Sequence, residues 1–205
     1  YGIVPYELLV QQRRLTKAFQ ERNESRIIRI ATDFGHYISD AHVPLHTTEN
    51  YNGQLTNQDG IHAFWESRIP ELFAEERFDF LVGQANYIED KRSFFWNIVL
   101  ESNSYVADVL GIEKELSESF PFDKQYCYEE RLNRTVRLEC KDYAAAYDRR
   151  MNGMVEDRMR KSIKAVADCW YTAWVDAGQP KFEKKGILAK IDEELENAFK
   201  LGRIF

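Results

Sequence analysis

The stretch His36-Tyr-Ile-Ser-Asp40-Ala-His42-Val-Pro44-Leu-His46, continued by His62-Ala-Phe-Trp65-Glu66, decides how the chain is read. All four histidines of the 205-residue protein fall between His36 and His62. His36 and Asp40 stand four positions apart, so a helix brings both onto one face, a turn from each other. His62 and Glu66 repeat that spacing on a second helical segment. Pro44 has no backbone N–H and restricts the residue before it, so the first helix should end there and leave His46 in a loop. Two His-x3-acid pairs and a loop histidine are the inventory of a metal site.

Zinc takes imidazole nitrogen and carboxylate oxygen, and a catalytic zinc keeps three protein ligands and one open position. His46, His62 and Glu66 form one complete set of that kind. His36 and Asp40 begin a second, and the two oxygens of Asp40 could bridge two ions. Paired metals activate water and stabilise the oxygens of an in-line phosphoryl displacement. His42 lies two positions after Asp40 and projects away from the His36–Asp40 face. It is therefore expected to orient a ligand by hydrogen bonding rather than to bind metal.

The order His-x3-Asp-x5-His, a loop, then His-x3-Glu resembles the zinc-dependent phospholipase C and single-strand-specific nuclease superfamily. HYISDAHVPLH is similar to one ligand helix of that family and GIHAFWES to the next, so the match is close over residues 36–66. The resemblance implies a multi-helix bundle with the metal site at one end and up to three zinc ions. His36 and Asp40 would serve one zinc, Asp40 would bridge to another, and His46, His62 and Glu66 would hold the remaining one. It implies hydrolysis of a phosphodiester by metal-activated water, with Asp40 as the residue most directly tied to catalysis. The family also uses an N-terminal Trp and upstream His and Asp ligands, which are absent from a chain that starts at Tyr1. An N-terminal portion is thus expected to be missing, leaving this chain a weak catalyst. Periplasmic or secreted localisation is a further implication of the resemblance alone.

Composition sets the remaining bounds. Hydrophobic residues are 44% and charged residues 30%, as in a globular chain long enough to bury a core. The net charge of −6 supplies no basic field for nucleic acid, so no stable nucleic-acid complex is expected. No run reaches the roughly 20 apolar residues of a membrane span. Among the three cysteines, Cys169 lies in a helical pattern and reads as a small buried hydrophobe. Cys127 and Cys140 flank an irregular stretch and could pair in an oxidising compartment.

Outward from the histidines the pattern is helical nearly throughout, which predicts an all-α fold. Pro5 opens a helix carrying Leu8, Leu9, Leu15 and Phe19. Asn23 or Ser25 caps the next, whose apolar face runs from Ile27 through Phe34 and Ile38 to Ala41. Gly35 interrupts that helix with a poor helix former. Residues 47–60 are polar and form a loop at the rim of the site. On that loop Tyr51 is either a stacking surface for a base or a glycerol edge, or a plain exposed aromatic. Asn57 or Asp59 is positioned to cap the helix of His62, and Phe64, Trp65 and Ile69 read as packing residues. Helical pattern continues from Glu71 to Phe120 and again from Tyr143 to Ala177, where Met151, Met154, Val155, Met159, Ile163, Val166 and Trp170 form an apolar stripe. Residues 121–140 are expected to be irregular or briefly extended. Gly178 and Pro180 end the main domain, residues 1–180, and residues 181–205 read as a separate amphipathic helix.

Two functions fit these residues. One is a zinc-dependent phosphodiesterase acting on phospholipid or single-stranded nucleic acid. The other is a non-catalytic helical protein in which His46, His62 and Glu66 hold a structural zinc.

Overall fold

The computed structural model describes residues 2–131 and 133–182. The amphipathic helix expected over residues 181–205 lies, from residue 183 onward, outside the described residues. Among the described residues the fold is mostly helical, as expected, with one small two-stranded sheet inside residues 121–140, the stretch expected to be irregular or briefly extended.

Helix α1, Val4–Gln20, starts with proline in its first turn and ends beside Lys17, as the helix dipole favours. Helix α2, Glu24–His42, is capped by Asn23, whose side chain accepts from the Arg26 N–H at 3.1 Å. It ends at extended Val43, and Pro44 opens a short 3-10 turn, Pro44–Thr47, that carries His46. Residues 48–60 form a loop ordered by Asn50, which is buried and accepts from the Leu55 N–H at 2.8 Å. Gly53 is obligatory in that loop: its φ is +77°, and a Cβ there would lie 2.3 Å from the Gln58 carbonyl oxygen.

The next helix is a composite. A single turn, α3 (Ile61–Ala63), runs into a π-helical stretch, Phe64–Arg68, and then into α4, Ile69–Arg77, with Pro70 in its first turn. Its N-cap is left-handed Gly60, so neither Asn57 nor Asp59 caps it. Helices α5 (Lys91–Ser104) and α6 (Val106–Ser119) follow. Strands β1 (Tyr126–Arg131) and β2 (Arg134–Glu139) then pair antiparallel, with Cys127 opposite Leu138. The described residues end with α7, Lys141–Arg150, α8, Met154–Asp176, and the short segment that follows to residue 182.

Three helical expectations are corrected. Residues 78–90 are an irregular strap along α8, because α8 side chains satisfy the strap's backbone in place of an internal ladder. Asp168 accepts from the Asn86 N–H at 2.6 Å and Thr172 from the Ile88 N–H at 2.9 Å. Phe80, Leu81 and Tyr87, within the segment from Glu71 to Phe120 that the pattern predicts as helical, are exposed there. The segment from Tyr143 to Ala177 is two helices, broken where Asn152 and Gly153 both take positive φ. Within α8, Ile163 and Trp170 face outward, while Arg158, Asp168 and Thr172 are buried. The stripe of apolar letters therefore traces the buried face at Met151, Met154 and Val155 and departs from it at Ile163 and Trp170.

Two cores result. In one, α1, α2, α5 and α8 bury Leu8, Leu15, Phe34, Ile38, Phe95 and Cys169. In the other, Phe64 stacks on Tyr143 and tilts against Tyr147, with Ile69, Phe73, Val109 and Val155 around them. Arg158, 1% exposed, crosses between them: its Nε–H donates to the His42 carbonyl at 3.0 Å and its terminal nitrogens reach Ser102 and Glu101, both at 2.6 Å. The end of α2 is thereby capped by a buried guanidinium. A disulfide joins Cys127 to Cys140 across the open end of the hairpin, with Cα atoms 5.0 Å apart. Cys169 is fully buried, as read from its pattern.

Candidate metal centre

The 3-10 turn after Pro44 and the start of the composite helix bring His46, His62 and Glu66 together. Their ligand atoms all lie within 4.8 Å of one another. His62 Nε2 is 2.8 Å and His46 Nε2 is 3.3 Å from the same oxygen, Glu66 Oε2. Two donors each about 2.0–2.1 Å from a tetrahedral ion stand about 3.3 Å apart, so this spacing suits one metal ion. The two imidazole rings meet edge to face at 4.7 Å between centroids.

Hydrogen bonding fixes which atoms face the centre. His62 Nδ1 lies 3.0 Å from the Tyr51 carbonyl oxygen, which only accepts, so Nδ1 carries the proton. In the neutral ring the lone pair is then on Nε2, aimed at a carboxylate oxygen that is itself an acceptor. Either a proton or a cation must lie between them. Without a cation, the Glu66 carboxylate raises the pKa of His46 above its ordinary 6.5, and the His46 imidazole lowers that of Glu66 below 4.5.

His36 and Asp40 pair on the outer face of α2, with Nε2 and Oδ2 3.4 Å apart and the His36 side chain 71% exposed. They do not join the group of three. Asp40 nevertheless stands beside it. It lines a cleft of about 590 Å³ together with His46, and a smaller one of about 260 Å³ together with Glu66 and Trp65. Its charge also contributes to the raised pKa of His46.

His42 is buried, and burial pulls its pKa down to about 4, so the ring is neutral near pH 7. Its Nδ1–H donates to the Ile38 carbonyl at 2.7 Å, and it has no hydrogen bond to any of the five candidate ligands. The orienting contact seen here comes instead from the backbone of Tyr51. The Tyr51 ring is 56% exposed, 6.4 Å from that of His62, at the rim of the site. A carbonyl carries no letter of its own in a sequence, so this supporting role was not legible; only the placement of Tyr51 on a loop between two ligands hinted at it. Trp65 packs as expected, 2% exposed, and also forms a wall of the smaller cleft.

No protein-family profile, curated protein or solved structure matches the chain.

Proposed function

We propose that the protein is a zinc-dependent phosphodiesterase, with His46, His62 and Glu66 as the ligands of one firmly held zinc. The observation that carries this reading is the lone pair of His62 Nε2, turned inward by the Tyr51 carbonyl and set against Glu66 where His46 also converges. Imidazole and carboxylate donors suit zinc. When bound, the ion would supply Lewis acidity and a water of lowered pKa. The chain's own part is to present three donors and leave one side open, since the side chains of His46, His62 and Glu66 are 35%, 24% and 38% exposed. Asp40, which lines both clefts and pairs with His36, would take a proton from water or bridge to a second ion together with His36. The sequence resemblance to the phospholipase C and single-strand nuclease superfamily supports the same chemistry and both substrate classes.

The alternative, a structural zinc, calls for a fourth protein ligand, and among the described residues the group ends at three. The Cys127–Cys140 disulfide supports an exported protein, because such bonds persist in oxidising compartments. No helix among the described residues is long and apolar enough to cross a membrane.

Native mass spectrometry after zinc addition should show about one bound ion, lost in Glu66→Gln. Zinc-loaded protein should then hydrolyse a chromogenic phosphate diester faster than the zinc-free form, with Asp40→Asn slower at unchanged zinc content. Failure to bind zinc removes the reading, and binding without any diester hydrolysis leaves the structural zinc.

A further inference from the structure

We propose that Arg68 is a positioning residue for the metal centre, tying the π-helical turn that carries Glu66 to the disulfide-closed hairpin. This inference rests on the metal site proposed above.

Glu66 does not sit on a regular helix. The Ile69 N–H bonds to the Phe64 carbonyl, a five-residue step, so the turn is widened by one residue. Such turns are rare inside helices and are frequent at functional sites. Glu66 and Arg68 are two positions apart, which places them on roughly opposite sides of the turn. One side meets His46 and His62; the other meets the hairpin.

On the hairpin side the hold is specific. Arg68 is 3% exposed. Its Nε–H donates to the Glu139 carbonyl at 3.0 Å, and its two terminal nitrogens grip the Glu129 carboxylate, one of them at 3.2 Å. Glu129 also meets Arg131, which in turn pairs with Glu71 on the following helix. Both Arg68 anchors lie between the two cysteines, on β1 and β2, and the Cys127–Cys140 bond fixes the ends of those strands. A planar fork that makes parallel bonds to a carboxylate constrains rotation as well as distance, which a lysine could not do. With its opposite side pinned in this way, the turn presents Glu66 Oε2 to both histidines without having to be ordered when metal arrives.

Groups hydrogen-bonded directly to a metal ligand change affinity about 10–100-fold, so a contact acting through the turn is expected at the lower end of that range. Arg68→Ala empties a buried charged site and risks unfolding, so Glu129→Gln is the primary variant, since Glu129 is half exposed and keeps its shape. Zinc affinity would be measured by competition with a chromogenic chelator, and site geometry by the visible spectrum of the cobalt-loaded protein. Leu15→Ala, in the core distant from the hairpin, serves as a control for general destabilisation. The expected result is about tenfold weaker zinc binding and an altered cobalt spectrum in Glu129→Gln, with a further loss in the Cys127→Ser/Cys140→Ser form. Leu15→Ala should lower the melting temperature and leave both readouts at wild-type values. Wild-type affinity in Glu129→Gln, or an equal loss in Leu15→Ala, would overturn the role of Arg68 while leaving the zinc site standing. A wild-type protein that takes no zinc would instead remove the site itself.

Discussion

The chain contains the same His-x3-acid spacing twice, and the two copies have different fates. His36 and Asp40 lie on the regular helix α2, 3.4 Å apart, with His36 largely in solvent. His62 and Glu66 straddle the junction of α3 and a π-helical turn, 2.8 Å apart, and meet a third donor. Helical spacing puts two side chains on one face in both places. What it cannot supply is the third residue or the carbonyl that turns a ring inward. At the second pair the 3-10 turn opened by Pro44 supplies His46, and the loop that follows it supplies the Tyr51 carbonyl. A ligand pair becomes a candidate centre only where another part of the chain crosses it.

The largest expected effect tests that contrast directly. His62→Ala should weaken zinc binding by two or more orders of magnitude, while His36→Ala should leave this site's affinity within about twofold. Titration of each variant with a competing chelator distinguishes them, and equal losses would make the two pairs equivalent after all.

A second test concerns what holds the end of α2, and with it Asp40, in place. Arg158→Met strips the buried donor from the His42 carbonyl and from Ser102, which should cost about 3 kcal/mol of stability. Denaturant unfolding reads this, and a change below about 1 kcal/mol would show that the guanidinium is not the cap it resembles.

For His46 the pH dependence has opposite signs with and without metal. In the metal-free protein the raised pKa of His46 gives stability that is complete below its ordinary 6.5 and lost as pH rises through the folded value. The lowered pKa of Glu66 gives stability that is complete above 4.5 and lost as pH falls through its folded value. The pair therefore helps most between those two ordinary values. Zinc must displace the imidazole proton, so its affinity should rise about tenfold per pH unit up to the pKa of His46. Zinc-induced shifts in melting temperature at pH 5.5, 6.5 and 7.5 should increase in that order, and a flat series would exclude imidazole ligation.

The smallest effect belongs to the regular helix. Gly35 lies in α2, and a Cβ there would meet Val166 at 3.7 Å and Trp170 at 3.8 Å, ordinary van der Waals contacts. Gly35→Ala should accordingly stabilise the protein by about 0.5–1 kcal/mol, read as a higher melting temperature. Destabilisation would mean that α2 and α8 approach each other more closely than these distances allow.

The sequence by itself determined the regular parts. Hydrophobic spacing, Pro5, Asn23 and Pro44 located α1, α2 and the turn that frees His46, because propensity and capping are local and act through a few neighbouring residues. It also named the residues of the candidate centre, since few donor types suit a metal and they cluster within one short segment. Tertiary structure alone decided the rest. The strap over residues 78–90 carries apolar letters at helical spacing, yet Asp168 and Thr172, far along the chain, hold its backbone in another shape. No local pattern marks Arg158 and Arg68 as buried, and the acceptors that neutralise them are brought up from other elements. The convergence of His46 on His62 and Glu66 and the inward turn of one imidazole depend on a loop's path and a backbone carbonyl. Neither leaves a mark in the order of side chains, because each is fixed by contacts between segments whose approach is set only when the whole chain packs.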